Sequence, residues 1–195
     1  WLMIDLRDTL QPSQVISTRA AMLQRDGNIV DVDGESPVAF PSVEEGYYYV
    51  SIRHRNHLGI MNAEPVYLKA DTTNATKLDF TDPNTATYGQ HARIEMEGRM
   101  AMWAGDVNSD GGIIFQGNDN ENNQAFFDIL TADDNVDTDI NFIYKNYGQT
   151  DTNLDCSAIF QGNGNDLNIY FFNILNHPEN AEILPNFEIT EQLPE

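Results

Sequence analysis

The sequence contains an internal repeat whose two copies begin 45 residues apart, at Asp106 and Asp151. Each copy opens with Asp-x-Asn-x-Asp, continues into Ile-Phe-Gln-Gly-Asn, and then places an Asn-acid pair before a short apolar run. The apolar runs, Ala125–Leu130 and Tyr170–Leu175, have the character of short helices. Because a segment repeated at a fixed interval folds as one unit used more than once, the sequence predicts a duplicated loop-and-helix unit.

The opening of each copy is typical of a calcium-binding loop. Calcium prefers about six to eight oxygen ligands, and alternate positions of a tight loop direct their side chains toward one point. The predicted ligands of the first copy are three side chains and one backbone carbonyl, from Asp106, Asn108, Asp110 and Gly112. Those of the second copy follow the same order, from Asp151, Asn153, Asp155 and Ser157. We therefore expect two calcium ions, one in each loop.

Both loops depart from the EF-hand pattern at position twelve, because Gly117 and Gly162 have no side-chain oxygen. The next matched acids are Glu121 and Asp166, four residues later, where a helix start favours a carboxylate. We expect these two acids to close the sites. In the second copy Cys156 replaces the turn glycine, and a positive φ costs such a residue about 1 kcal/mol or more. The second site is therefore predicted to be the weaker one.

The charge distribution also favours a bound cation. The chain has 31 acidic and 10 basic residues, a formal net charge of −21, and such a chain repels nucleic-acid phosphates and anionic lipid. Residues 104–176 hold twelve of the acids and a single base, Lys145, and their repulsion opposes folding unless cations neutralise it. Asp- and Asn-rich strings also form turns without a metal, but the acid and helix matched in both copies favour calcium.

The first 80 residues have the pattern of short strands separated by turns. Leu2–Arg7 and Gly46–His54 alternate core-facing with other side chains, and runs at 66–68 and 78–80 indicate two more strands. The segment 25–28, Arg-Asp-Gly-Asn, predicts a turn between two apolar runs. Strands at this spacing are typical of a β-sandwich, so a mainly β chain with short helices is predicted.

The predicted organisation has three parts. They are a β-sandwich at 1–80, a connecting segment at 81–103, and the duplicated calcium-loop and helix module with a C-terminal extension at 104–195. The single cysteine excludes an internal disulfide, and no run approaches the ~20 apolar residues of a membrane helix. The chain opens at Trp1 within a predicted strand and without a signal peptide. We therefore expect a mature product or an excised piece, with a strand edge available for self-association.

Two resemblances carry the interpretation further. The loop-and-helix duplication resembles dockerin-type calcium repeats, which also carry paired Asp-x-Asn-x-Asp-Gly loops. The segments Met22–Gly34 and Gly46–Gly59, together with the paired loops, resemble a region of large secreted Bacteroidota surface proteins of haemagglutinin-like or adhesin-like type, from about Leu2 to Leu193. This resemblance implies a transthyretin-like or immunoglobulin-like sandwich before a dockerin-like module, an extracellular or cell-surface location, and no catalysis.

The favoured function is a calcium-stabilised structural or adhesive module, such as a stalk, spacer or filament subunit. The alternative is a module whose two helices bind a glycan or a cohesin-like protein partner. An exposed platform of Tyr47, Tyr49 and Tyr170 would favour the glycan. An enzyme is not expected, because the sequence has no serine nucleophile elbow, His-Glu zinc motif or phosphate-binding glycine loop.

Two further features lie outside the loops. The basic segment 53–57, Arg-His-Arg-Asn-His, either contacts an anionic partner or is a strand end whose charges are solvated or paired with the acidic half, and we favour the second interpretation. Thr9 and Thr72 lie in short motifs resembling Bacteroidota O-glycosylation sites, and Asn74 begins an N-glycosylation sequon.

Overall fold

A computed structural model describes residues 1–70 and 72–194, so Asp71, part of one predicted O-glycosylation motif, lies outside the described residues. The described chain is mainly β, with 28% strand and 11% helix, which confirms the predicted fold class at that level. It divides into two compact units. Unit 1 comprises Trp1–His54, Gly59–Ala101 and the residues from Gln192, and unit 2 comprises Arg55–Leu58 and Met102–Glu191.

A six-stranded sheet forms the centre of unit 1. Its strand order is β3-β2-β1-β4-β5, β6 pairs with β4, and β1 is antiparallel to both of its neighbours. The strands are β1 (Leu2–Arg7), β2 (Val15–Leu23), β3 (Ile29–Val30), β4 (Gly46–His54), β5 (His57–Met61) and β6 (Val66–Leu68). Three of these strands, β1, β4 and β6, have the residue bounds that the sequence predicted.

The predicted alternation of core-facing side chains is confirmed in the two central strands. Ile4 and Leu6 of β1 line the same half-open apolar cavity, of about 470 Å³, as Tyr48, Val50 and Ile52 of β4. Since successive side chains of a strand point to opposite faces, these five side chains mark the core face of the sheet. The core of unit 1 therefore lies where the period-two pattern placed it.

The predicted turn at 25–28 is also confirmed. Gly27 has a φ of +89°, which a glycine adopts without a Cβ penalty, and the Asp26 side chain accepts a hydrogen bond from the Asn28 amide at 3.0 Å. This turn joins β2 to β3, which pair antiparallel.

The predicted strand at 78–80 is wrong, because these residues are irregular. The Asp79 carboxylate accepts hydrogen bonds from both the amide and the hydroxyl of Thr81, at 2.9 and 2.7 Å. Such a local side-chain bond turns the chain and competes with strand pairing. Farther along the chain, β7 (Arg93–Met96) and β8 (Arg99–Met102) pair in a small sheet within the segment 81–103. Most of that segment, up to Ala101, lies in unit 1.

Unit 2 contains the repeat and has little regular structure. Its elements are β9 (Gly112–Ile114), α1 (Glu121–Leu130), α2 (Leu167–Leu175) and β10 (Glu188–Thr190). The helices contain the two apolar runs predicted to be helical, and α1 is capped by the Asn120 side chain, which accepts from the Asn123 amide at 3.1 Å. Among the described helices, none is long and apolar enough to cross a membrane.

Candidate metal centre

The two copies of the repeat pack against each other with a two-fold relationship. Phe115 of the first copy contacts Phe171 of the second, with ring centroids 4.5 Å apart. The equivalent residues with the copies exchanged, Phe160 and Phe126, also contact each other, at 5.5 Å. Because contacts that recur on exchange of two copies define a two-fold arrangement, the loops Asp106–Glu121 and Asp151–Asp166, here called loop 1 and loop 2, occupy equivalent positions.

Strand pairing follows the same exchange. Ile189 at the end of the second copy pairs with Ile113 of the first, in the antiparallel β9–β10 pair. Tyr144 at the end of the first copy forms the equivalent bridge with Ala158 of the second. Each loop therefore contains a residue that pairs with the end of the other copy, and the two loops can be compared position by position.

Loop 1 brings three predicted ligands together. One carboxylate oxygen from each of Asp106, Asp110 and Glu121 lies within 4.8 Å of the others. Asp106 and Glu121 are buried, whereas Asp110 is exposed. The cluster therefore has two carboxylates held inside the protein and one at its surface, all offering the hard oxygen atoms that calcium prefers.

The backbone of loop 1 curls around these side chains. The Asp110 amide donates hydrogen bonds to Asp106 Oδ1 at 3.1 Å and to Asn108 Oδ1 at 3.0 Å. The Gly112 amide donates to Asp110 Oδ1 at 2.9 Å, and Gly111 takes the sharp turn with a φ of +83°. These bonds place oxygens of Asp106, Asn108 and Asp110 on the inside of the turn.

Glu121 is the most unusual side chain of the cluster. It is the first residue of α1 and has no solvent exposure. Its Oε2 accepts a hydrogen bond from the Ile114 amide at 2.7 Å, whereas its Oε1 is buried and has no hydrogen-bond partner among the described residues. A buried carboxylate oxygen without a partner is costly, and either a bound cation or a proton on this oxygen removes that cost.

Two carboxyl groups of the cluster have raised pKa values, because they are buried close to other acids. Burial, with a contribution from the Asp110 and Asp106 carboxylates, raises the pKa of Glu121 to about 8. Burial and the Asp110 carboxylate raise the pKa of Asp106 to about 6, with a further contribution from Glu191. Carboxylates held together without a cation cannot all remain ionised at low cost, and a bound divalent ion removes that cost.

Two acids beside loop 1 were not predicted from the sequence. A Cβ placed on Gly112 would lie 3.0 Å from Glu188 Oε1, and one on Gly111 would lie 3.7 Å from Glu191 Cβ. Both acids arrive through the β9–β10 pairing, and the Glu191 amide also donates to the Gly111 carbonyl at 2.8 Å. Because this pairing joins residues far apart in the chain, no local pattern identifies these two acids.

Loop 2 repeats the backbone of loop 1. The Asp155 amide donates to Asp151 Oδ1 at 3.0 Å and to Asn153 Oδ1 at 2.9 Å, and the Ser157 amide donates to Asp155 Oδ1 at 2.9 Å. Cys156 has a φ of +67°, so the strained conformation predicted for this residue is present. The loop therefore keeps the turn even though a side-chain-bearing residue replaces the glycine.

The carboxylates of loop 2 are arranged differently. In the described part of the chain, Asp151, Asp155 and Asp166 do not form a cluster of ligand atoms like that of loop 1. Asp166 is buried, and its Oδ1 and Oδ2 accept hydrogen bonds from the amides of Thr152 and Ile159, both at 2.8 Å. Burial raises the pKa values of Asp151 and Asp166. Loop 2, the expected second calcium site, thus has the predicted turn, but its three carboxylates do not come together as those of loop 1 do.

Both arginines of the basic segment 53–57 form ion pairs, and only that of Arg55 is with the acidic half, as the favoured interpretation expected. Arg53 pairs with Asp5 at 2.9 Å in unit 1, and Arg55 pairs with Asp151 at 3.3 Å in unit 2.

Comparisons of the chain with protein-family models, with curated proteins and with solved structures found no match.

Proposed function

We propose that this chain is a calcium-stabilised extracellular module with a structural or adhesive role, such as a stalk, spacer or filament subunit of a bacterial surface protein. In this proposal a calcium ion in loop 1 organises unit 2. The ligands are carboxylate oxygens of Asp106, Asp110 and Glu121, with the side-chain oxygen of Asn108 and the carbonyl of Gly112 completing the set. The chain holds the ion for stability and does not carry out a reaction.

The observation that carries this proposal is the buried, unpartnered Oε1 of Glu121 beside two further carboxylates. A cation that binds this oxygen supplies the partner that the protein does not. The donors are all oxygens, with no histidine or thiolate in the cluster, which favours calcium over zinc or copper. The Glu188 and Glu191 side chains add negative potential beside the same loop.

We also propose an extracellular location, which two features support. The chain has one cysteine and so no internal disulfide, and a bound calcium ion is another means of stabilising a chain outside the cell. Calcium sites of extracellular modules work at dissociation constants of about 10⁻⁴–10⁻³ M, which a partly exposed cluster can reach. The resemblance to Bacteroidota adhesin-like proteins supports the same location.

The finer fold assignment is part of this proposal. In the transthyretin-like or immunoglobulin-like sandwich proposed for unit 1, the antiparallel six-stranded sheet would form one of the two layers. The two-fold duplicated loop and helix of unit 2 support a dockerin-like module. Self-association through a strand edge or end to end belongs with the filament role. Light scattering over a range of concentrations tests it, and a strict monomer with and without calcium contradicts it.

Calorimetric titration of the chelator-treated protein with calcium tests the site. The wild-type chain is expected to bind calcium, and Glu121→Gln is expected to lose that binding, because the amide keeps the shape of the side chain and removes its charge. Asp119→Asn is the matched control, since Asp119 is an exposed acid of the same loop outside the cluster. Equal binding by the Glu121 variant and the control would refute the assignment.

A second candidate function, partner binding through the helices, is favoured by one observation. Phe127 of α1 and Phe172 of α2 occupy equivalent positions of the repeat and are 59% and 55% exposed, and exposed aromatic side chains are common in protein interfaces. Tyr170 is completely buried, so it cannot contribute to a glycan platform. Binding to a cohesin-like protein, measured by interferometry, should weaken in Phe127→Ser and Phe172→Ser but not in Tyr47→Ser.

A further inference from the structure

We infer that the guanidinium of Arg55 replaces a metal ion in loop 2, so that this loop closes without calcium and the chain binds one calcium ion rather than two. The inference rests on the proposed calcium site of loop 1. It concerns the equivalent position in the second copy, where the Arg55 guanidinium faces Asp151, the first carboxylate of loop 2. Four features distinguish loop 2 from loop 1.

The first feature is the ion pair of Asp151. Asp106 and Asp151 are equivalent, and their Oδ1 atoms accept the same backbone bond, from the amides of Asp110 and Asp155. Asp151 Oδ2 also lies 3.3 Å from a guanidinium nitrogen of Arg55, and the Asp151 side chain is only 1% exposed. Among the described residues no salt bridge is formed by Asp106. Loop 2 therefore already contains the positive charge that loop 1 lacks.

The second feature is how firmly Arg55 is held. Its Nε donates a hydrogen bond to the Gly148 carbonyl at 2.8 Å, and its guanidinium lies 3.7 Å from the ring centroid of Tyr147. The next residue, Asn56, donates from its side chain to the Asp151 carbonyl at 2.7 Å. A planar guanidinium fixed by a stacked ring and a carbonyl has little entropy left to lose when it pairs with a carboxylate. Arg55 is thus positioned before any ion arrives.

The third feature is the closing acid. In loop 1 the glutamate reaches into the cluster and leaves one buried oxygen without a partner. In loop 2 the shorter Asp166 has both oxygens bonded to backbone amides, and its Oδ1 also lies 3.4 Å from the Thr152 hydroxyl. The equivalent of Thr152 in loop 1 is Val107, which has no hydroxyl. Asp166 therefore has no buried oxygen that requires a metal.

The fourth feature is the surrounding charge. Lys145 donates a hydrogen bond from its ammonium group to the Ser157 hydroxyl at 2.7 Å, at the position equivalent to Gly112 in loop 1. The neighbours of Gly112 are instead acidic, because Glu188 lies beside it. Two bases thus contact loop 2, whereas two further acids lie beside loop 1. A divalent cation is attracted more strongly to the acidic surroundings of loop 1 than to loop 2, where the bases offset part of the carboxylate charge.

Calcium stoichiometry, measured by titration calorimetry on the full chain, tests the inference. The wild-type chain is expected to bind one calcium, and the binding is expected to disappear in Glu121→Gln. Arg55→Gln removes the guanidinium from Asp151 Oδ2, which keeps the hydrogen bond from the Cys156 amide at 3.2 Å, and is expected to raise the stoichiometry to two. A stoichiometry that stays at one in this variant would contradict the inference. Arg55→Lys, which keeps the charge, is expected to remain at one. Two calcium ions bound to the wild-type chain would overturn the inference, whereas no calcium bound at all would overturn the proposed function.

Hydrogen exchange in chelator provides a second measurement that does not depend on calcium binding. Arg55→Gln is expected to lose protection at residues 151–166, because a buried carboxylate loses its counter-charge, while the amides of β1 and β4 report whether unit 1 remains folded. Arg25→Gln, in the exposed turn between β2 and β3, is the matched control for loss of one positive charge. Equal protection of loop 2 in the two variants would show that Arg55 does not replace an ion.

Discussion

The Ile114 amide donates a 2.7 Å hydrogen bond to Glu121 Oε2, so one oxygen of this carboxylate holds β9 within loop 1. The other oxygen lies in the acidic cluster with no hydrogen-bond partner among the described residues. The side chain is therefore a structural clamp and a proposed metal ligand at the same time. Because β9 and α1 meet at this carboxylate, the state of the metal site is expected to affect both elements.

Chelation is expected to loosen unit 2 before unit 1. A ligand that binds only the native state stabilises it by about 4 kcal/mol at a thousandfold excess over its dissociation constant. Removing calcium is therefore expected to destabilise unit 2, which contains the proposed site. Hydrogen exchange with and without chelator should show protection lost at Asp106–Leu130 and retained in β1 and β4. Unchanged protection at Asp106–Leu130 after calcium removal would contradict the proposal that calcium organises this region.

The calcium-free protein is expected to become less stable as the pH rises. Glu121 has an ordinary pKa of 4.5 and a folded pKa of about 8, so between these values the folded protein holds a proton that the unfolded chain has released. The contribution of Glu121 to the free energy of unfolding then falls with rising pH across this window and is constant outside it. Asp106 adds a smaller decrease between 3.8 and about 6.

Thermal melts in chelator at a series of pH values measure this dependence. Glu121→Gln cannot ionise at this position, so its melting temperature should change less between pH 4.5 and 8 than that of the wild type. Asp119→Asn serves as the control and should follow the wild type. The calcium affinity should fall by about tenfold per pH unit between pH 8 and 6, because binding must release the proton of Glu121. It should fall more steeply below pH 6, where Asp106 must also lose a proton.

Residues close in the sequence were predicted correctly because their patterns are local. The alternation in Leu2–Arg7 and Gly46–His54 identified both central strands, since burial of one sheet face imposes a period of two. The spacing of Asp106, Asp110 and Glu121 identified a cluster that the fold does assemble. In each case the side chains belong to one continuous segment, whose geometry follows from its own sequence.

Contacts between distant segments were not predictable in the same way. The pairing of Arg55 with Asp151 joins residues 96 positions apart, and Glu188 reaches loop 1 through a strand pair that exchanges the two copies. The sequence shows that the two copies are alike. The charged residues that surround each loop come from distant segments, so they depend on tertiary contacts that the repeat does not reveal. The failed strand at 78–80 has a local cause, since the Asp79 side chain bonds to Thr81 more readily than the segment pairs with a sheet.

Removing the guanidinium of Arg53 is expected to destabilise unit 1. Asp5 is fully buried and accepts hydrogen bonds from Arg53 at 2.9 Å, Thr18 at 2.6 Å and Ser51 at 3.2 Å. Burial opposes ionisation, but the bonds from Arg53 and Thr18 hold the pKa of Asp5 below its ordinary 3.8. Because Arg53 is itself 45% exposed, we expect Arg53→Gln to cost about 1–2 kcal/mol.

The pH dependence identifies the cause of that loss. A carboxyl group with a lowered folded pKa stabilises the protein above its unfolded pKa, and the contribution disappears as the pH falls through the folded value. The difference between wild type and Arg53→Gln, measured by exchange of β1 amides, should therefore shrink below pH 3.8. Arg25→Gln should stay within about 0.5 kcal/mol of the wild type throughout. A difference that persists at low pH would show that packing, rather than charge, is responsible.

A methyl group added to the turn of loop 1 is expected to weaken calcium binding. Gly111 has a φ of +83°, and a Cβ there would meet only Glu191 Cβ at an ordinary 3.7 Å. The cost of Gly111→Ala is thus conformational, about 1 kcal/mol or more, which corresponds to roughly a fivefold loss of calcium affinity if the loop relaxes in the free state. Titration calorimetry measures the change.

The reciprocal substitution in loop 2 provides the control. Cys156 already holds a φ of +67°, so Cys156→Gly relieves the same strain at the equivalent position. If Arg55 supplies the cation of loop 2, the relieved loop gains no metal, and the calcium affinity and stoichiometry of Cys156→Gly should equal those of the wild type. The appearance of a second calcium in this variant alone would show that backbone strain, and not the Arg55–Asp151 ion pair, keeps loop 2 free of metal.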